Sequence, residues 1–253
     1  MSFRRVWRRP RASDQILEIL HLRQRLVRQR TQVYNRLQSL AHNAGLPKGR
    51  MKTAAFQAVI KSVEMNEAGE LGRMHLFELL GKLSQQIAAL EEWLKKKAVA
   101  NTPVQLLLTQ KGVGYLTALT TVHTLGDVRR FTRIAKQVAS FAGLDPLEKS
   151  SAGKTRFGRI SKAGSPLLRY QLGQAAQIAS RSDARLKSFH KRLVKKKPKA
   201  VAKTKVVLEQ LPLNATARKL LVKLSIMLRD SITADEFDRR GRTVGNARSP
   251  QGR

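Results

Sequence analysis

Apolar positions organise this chain before any chemistry does. From Ser13 to about His42, Ile19, Leu26, Val33 and Leu40 recur every seven residues, flanked by Ile16, Leu22 and Leu37. Arg23, Arg25, Arg28, Arg30 and Arg36 occupy the other faces. That period predicts a long amphipathic helix. Ser13 after Pro10 is its expected N-cap, and Gly45 with Pro47 its stop. A second helix is predicted from about Glu67 to Lys97. There Leu76, Leu80, Leu83, Ile87, Leu90 and Leu94 alternate four and three apart, the spacing of a coiled-coil seam. The connector between them has room for a short helix. Such helices either fold back as an antiparallel hairpin or zip onto another chain, so a homo-oligomer through the coiled coil is expected.

Asn101 to Pro103 breaks the pattern and opens a more compact half. The run Val104 to Leu108 leads through Gly112-Val113-Gly114 into a predicted helix of about Leu116 to Leu125. Helix, glycine turn, helix is a helix-hairpin-helix-like order, in which backbone N–H groups near Gly112 and Gly114 point at a DNA phosphate. The competing reading is an ordinary glycine-stabilised turn. Phe131 to Phe141 predicts another short helix, and Pro166 starts one running to about Ser180. A basic run follows from Arg185 to Lys205, in which Lys191 and Arg192 are assigned to nucleic acid. An amphipathic segment from Ala215 then closes the domain.

The fold class expected is therefore mainly α. A basic arm (1–12) precedes the coiled-coil helical hairpin (13–100). A compact helical domain (101–238) carries a Lys-rich insertion at about 195–213, and a disordered tail (239–253) ends the chain.

Charge narrows the function. Fifty Lys and Arg against seventeen Asp and Glu give a net charge of +33 over 253 residues, which calls for a polyanionic partner. Nucleic acid is the leading candidate, since neutralising phosphates releases condensed counterions. A membrane is the competitor, but no apolar run is long enough to span one and no lipidation signal is present. With no cysteine there is no disulfide, cysteine-based zinc site or thiol catalysis. Aromatic residues are only 5% of the chain, so phosphate contact rather than base stacking should dominate. The expected setting is intracellular and nucleoid-associated.

The densest chemistry lies in SSAGKTRFGRISKAGSPLLR, residues 150–169. Lys154, Arg156, Arg159 and Lys162 are spaced by Gly153, Gly158 and Gly164. Glycine lets the backbone approach a phosphate closely, the cations hold its charge, and a serine hydroxyl becomes a candidate nucleophile. The alternative is a basic turn that only grips nucleic-acid backbone. No evident general base lies nearby, Glu148 being the nearest in sequence. The five histidines show no ligand-like spacing and are assigned to packing or surface roles.

Three stretches carry a resemblance: KGVGYLTALTTVHTLGDVRRF, VASFAGLDPLEKSSAGKTRFGRISKAGSPLLRYQLGQAA and DARLKSFHKRL. In this order they resemble the C-terminal half of transposases of the insertion-sequence 110/116/902 family. The resemblance implies cutting and rejoining of DNA by a serine that attacks the scissile phosphate. That serine falls on Ser151, with Ser165 as the alternative. Lys154, Arg159, Lys162 and Arg169 become phosphate contacts. It also implies a structured, element-encoded RNA partner and an acidic Holliday-junction-resolvase-like domain that binds magnesium. This chain begins where the acidic domain should be ending, and Ala152 stands where the family has glycine. The expectation is a truncated transposase with no cofactor of its own, magnesium coming only through the separate acidic domain. A non-catalytic DNA- or RNA-binding derivative is the alternative.

Overall fold

The computed structural model describes residues 7–47, 49–148, 157–195 and 205–246. It is mainly α. Long helices α1 (Arg11–Asn43) and α3 (Glu67–Val99) flank a short α2 (Ala54–Ser62). Next come α4 (Thr102–Leu108), α5 (Tyr115–Leu125), a 3-10 turn (Val128–Arg130) and α6 (Ile134–Phe141). Strands β1 (Pro146–Glu148) and β2 (Phe157–Ile160) form a small antiparallel hairpin. Helices α7 (Pro166–Ser182), α8 (Ala184–Lys195), α9 (Lys205–Asp230) and α10 (Ala234–Asn246) complete the order. The chain divides into two compact units, Glu18–Lys95 and Met1–Leu17 with Lys96–Arg253.

In the Glu18–Lys95 unit, Val33, Leu37 and Ala41 of α1 share a core with Leu80 and Leu83 of α3. Met51 and Ile60, from the connector and α2, complete that core, so a third helix joins the two long ones. Thr53 caps α2 by accepting the Phe56 amide hydrogen. The directions of α1 and α3 are opposed: Arg23, early in the chain, donates from Nε to Glu91 Oε1 at 2.9 Å, late in α3. The α3 stripe is buried at Leu80, Leu83, Ile87 and Leu94, as its four–three spacing requires. The α1 stripe differs from the expected heptad. Leu20 and Gln24 are buried, while Leu22 is exposed.

The second unit is built around α9, which packs against α4, α6, α7, α8 and α10. Leu220, Leu221, Leu224 and Met227 are its buried face, opposite Leu168, Leu172, Ala175, Ala176 and Ala179 of α7. Burying each Leu or Met side chain stabilises the fold by about 1.5–3 kcal/mol. Asn101 caps α4 through Val104 N–H, and Pro103 sits in its first turn, so the break at 101–103 is a helix start.

Three expectations about ends are corrected. Helix α1 begins at Arg11 rather than after Ser13: the Pro10 carbonyl accepts from Ser13 N–H and Asp14 N–H. Ser13 is thereby freed from capping, and its Oγ lies 3.0 Å from His123 Nδ1. The arm before it is packed at Trp7, whose ring is stacked by Arg130 at 4.1 Å. The closing helix starts at Lys205, ten residues before Ala215, and runs through Pro212. The segment expected as a tail from 239 is helical to Asn246, and residues 247–253 lie outside the described residues.

Helix α10 is held by charge. Lys223 Nζ, itself buried, reaches Asp183 Oδ2 at 3.5 Å and Asp238 Oδ1 at 3.1 Å. Asp183 also accepts from Gln110 Nε2 at 2.9 Å and from the Leu186 amide at 2.9 Å. Burial alone pushes the Asp183 carboxyl up, but the Leu186 amide, Gln110 and Lys223 outweigh it and hold its pKa below the usual carboxylate value. One buried carboxylate thus ties the α4–α5 turn, α8, α9 and α10 together.

Candidate strand-transfer and nucleic-acid site

The glycine-rich block is framed by backbone packed on backbone. Gly143 ends α6 with φ +67, and a side chain there would lie 2.6 Å from Ala163 N and 2.7 Å from Gly164 N. Gly164 is the reciprocal position, where a Cβ would collide with the Phe141 carbonyl oxygen. Two loops therefore touch where only glycine fits. Arg169, reaching back from α7, fastens the same junction. Its Nη1 donates to Gly164 O at 2.6 Å and to Ala142 O at 3.1 Å. Burial lowers its pKa from the usual arginine value. Expected as a phosphate contact, Arg169 spends Nη1 on the protein's own carbonyls.

From this junction the hairpin emerges. Ser161 N–H donates to Asp145 O at 2.8 Å, and Ser161 Oγ donates to Asp145 Oδ1 at 2.5 Å. Lys162 N–H donates to Gly143 O at 3.1 Å, and Lys162 adopts φ +57, turning the chain toward α7. The Lys162 and Arg159 side chains are exposed. Residues 149–156 connect β1 to β2, so Ser151, Lys154 and Arg156 lie outside the described residues. Ser165 is the N-cap of α7, its Oγ accepting from Leu168 N–H at 3.3 Å. It also borders a cavity of about 420 Å³ with Arg9, Thr124 and Gly164.

The two glycines of the α4–α5 turn separate by role. Gly112 has φ +89, and a Cβ there would lie 2.7 Å from Ala179 N and 2.9 Å from Ala175 O of α7. Gly112 is thus a packing position. Gly114, the N-cap of α5, faces open space. Lys191 and Arg192 are exposed on α8, the Arg192 guanidinium lying 5.7 Å from the Phe189 ring.

Sequence reasoning missed Arg130. Its guanidinium lies between Trp7, Phe131 and Phe141 at 4.1, 4.2 and 4.8 Å, and its Nη2 donates to Leu125 O at 3.1 Å. Burial pulls its pKa below the ordinary arginine value, against the pull of Asp127. The signal was the RRF triplet at 129–131, which sets a guanidinium beside an aromatic ring.

Among the described residues no group of three or more His, Cys, Asp or Glu gathers that could hold a metal ion. The magnesium that the resemblance implies therefore has no such group among these described residues. No helix among the described residues is long and apolar enough to cross a membrane.

A family model described as Transposase IS116/IS110/IS902 family matches residues 104–191, from α4 into α8. The chain carries a transposase domain of this family. The probable family 20 transposase of Pseudomonas aeruginosa is 34% identical over 187 residues, covering 69% of this chain and 55% of that protein. The transposase for insertion sequence element IS1111A of Coxiella burnetii is 33% identical over 168 residues, 64% of this chain and 46% of the relative. That for element IS1328 of Yersinia enterocolitica is 30% identical over 175 residues, 67% and 52%. The chain spans about half the length of these curated relatives. Gly112, the Gly143–Gly164 junction, Asp145–Ser161, Arg169 and the 149–156 connection all fall within the matched transposase segment.

Proposed function

We propose that this chain is the DNA-handling part of a transposase that cleaves and rejoins strands through Ser151. Supporting the reading is the frame itself: Gly143, Gly164, Arg169 and the Asp145–Ser161 pair fix both ends of the hairpin that carries residues 149–156. In the proposed step Ser151 Oγ loses its proton to a base outside the described residues and attacks the scissile phosphorus. A Ser–O–P bond forms, the bond to the leaving sugar oxygen breaks, and that oxygen takes a proton. A strand hydroxyl then attacks the phosphoseryl link, joining the strand and returning the serine. Arg159 and Lys162, exposed at β2 and its exit, suit the developing phosphorane charge. Ser165 is the weaker nucleophile, because its hydroxyl already serves α7 as a cap.

DNA is the proposed partner, gripped along its phosphates, with the open face at Gly114 and the start of α5 acting as a helix-hairpin-helix contact. The structured RNA, the homo-oligomer and the nucleoid setting stay within this proposal. Incubation with a nicked suicide duplex, the acidic domain being added separately, tests it. Wild type and Ser165→Ala should give a covalent protein–DNA adduct, and Ser151→Ala none at nearly unchanged DNA affinity. Binding without an adduct from wild type would leave a non-catalytic binding module.

A further inference from the structure

We propose that the groove between α7, α8 and the first half of α9 is a second phosphodiester-binding site, separate from the glycine-rich block. The proposal rests on the nucleic-acid reading above but not on serine chemistry. The groove encloses about 560 Å³, and Arg181, Lys187, Lys191, His190, Gln177 and Gln210 are among its lining residues. Its walls follow from helical spacing. Gln177 and Arg181 stand four apart on α7, while Lys187, His190 and Lys191 share one face of α8 at three and four apart. The cations thus converge from both sides on one cleft.

Nothing on these two helices neutralises them. Asp183, at their junction, is the only carboxylate from 166 to 195, and it is committed to Gln110, the Leu186 amide and Lys223. No described lining residue of the groove is acidic. A polyanion seated here offsets the mutual repulsion of Arg181, Lys187 and Lys191.

The groove is also organised in advance. Thr216 Oγ1 gives its proton to Pro212 O at 2.8 Å, so toward His190 Nδ1, 3.1 Å away, it can only accept. The imidazole is pinned with Nδ1 as donor, which leaves Nε2 as its other polar edge. None of the described lining residues is Phe, Tyr or Trp, and the cations outnumber every other charged group there, which favours backbone phosphate over bases.

Its placement gives it a role. The groove sits at the C-terminal end of α7 and the glycine junction at the N-terminal end, about 22 Å apart at about 1.5 Å per residue. That is roughly six phosphates along one strand at about 3.4 Å each. A strand handled at the glycine block is thereby held again about half a helical turn away.

The test uses the full chain with Arg181→Gln, Lys187→Gln and Lys191→Gln combined. Binding to a 20-base-pair DNA duplex and to the RNA duplex of the same sequence is followed by fluorescence anisotropy from 50 to 200 mM salt. With about three phosphates lost, affinity should fall roughly 10²-fold near 100 mM, and the salt slope should shrink by about two to three. The thermal unfolding midpoint should stay unchanged, because all three side chains are exposed. Loss on either duplex supports the site and shows which nucleic acid it holds. A change below about threefold on both duplexes, at unchanged slope, overturns the groove while leaving the Ser151 reading standing. Failure of the wild type to bind either duplex overturns both.

Discussion

The two ends of α7 use basic residues in opposite ways. At the N-terminal end, Arg169 is turned inward onto the carbonyls of Ala142 and Gly164, and glycines let two loops touch. At the C-terminal end, Arg181, Lys187 and Lys191 stand exposed around a cleft with no described acid in its lining. Local sequence looks equally basic at both. The difference is whether carbonyl oxygens converge on the cation, and only the fold decides that. Arginine suits the inward role because its planar fork is weakly hydrated and can serve several acceptors.

Breaking the N-terminal junction should give the largest effect. Gly164→Val forces a branched side chain against the Phe141 carbonyl, and a loss of at least about 3 kcal/mol is expected in urea denaturation. The matched change Gly173→Ala, in α7 with open space around it, should stabilise by up to about 1 kcal/mol. Equal effects would mean that the two loops do not touch as described.

Removing the buried carboxylate comes next. Asp183→Ala strands Lys223 beside Asp238 alone and should cost about 3 kcal/mol, with α10 losing amide-exchange protection first. Arg169→Met should cost about 2 kcal/mol by stranding two carbonyls, whereas Lys162→Met should cost less than about 0.5 kcal/mol. An Arg169→Met chain as stable as wild type, with weakened DNA binding, would return Arg169 to the phosphate-contact role.

The smallest effect is a pH dependence. His123 has its pKa lowered by burial and then by Arg9. Below the ordinary histidine value the unfolded chain binds a proton that the folded chain refuses, so stability rises with pH through that window. Asp183, with its lowered pKa, adds stability above the ordinary carboxylate value that is lost as pH falls further. His123→Gln should therefore flatten the rise of stability with pH just below the ordinary histidine value, while the acid-side loss due to Asp183 remains. An unchanged slope would mean that the ring protonates within the fold.

Legibility followed the range of the forces. The α3 stripe could be read because its burial obeys a local period, and the α4 start because Asn101 and Pro103 carry it. The onset of α1 was misread because Ser13 looks like a cap, whereas the Pro10 carbonyl starts the helix and Ser13 turns to His123. Helix α10 reads as a tail, since its polar residues are held by Lys223 and Arg185 from distant elements. Pro212 lies within α9, in the stretch expected as part of a Lys-rich insertion. At the site, the motif marked the residues expected to carry chemistry. It could not show that Ser165 is a cap, Gly112 a packing contact or Arg169 a clamp, because each depends on partners brought close by folding.

The central claim, that the framed hairpin presents Ser151 as the nucleophile, is tested most directly by locating the link. A suicide duplex is trapped by the wild-type chain with the acidic domain added, and the DNA-bound peptide is sequenced by mass spectrometry. The account predicts a phosphonucleotide on Ser151. Attachment at Ser165, at another residue, or none at all from a chain that binds the duplex would contradict it.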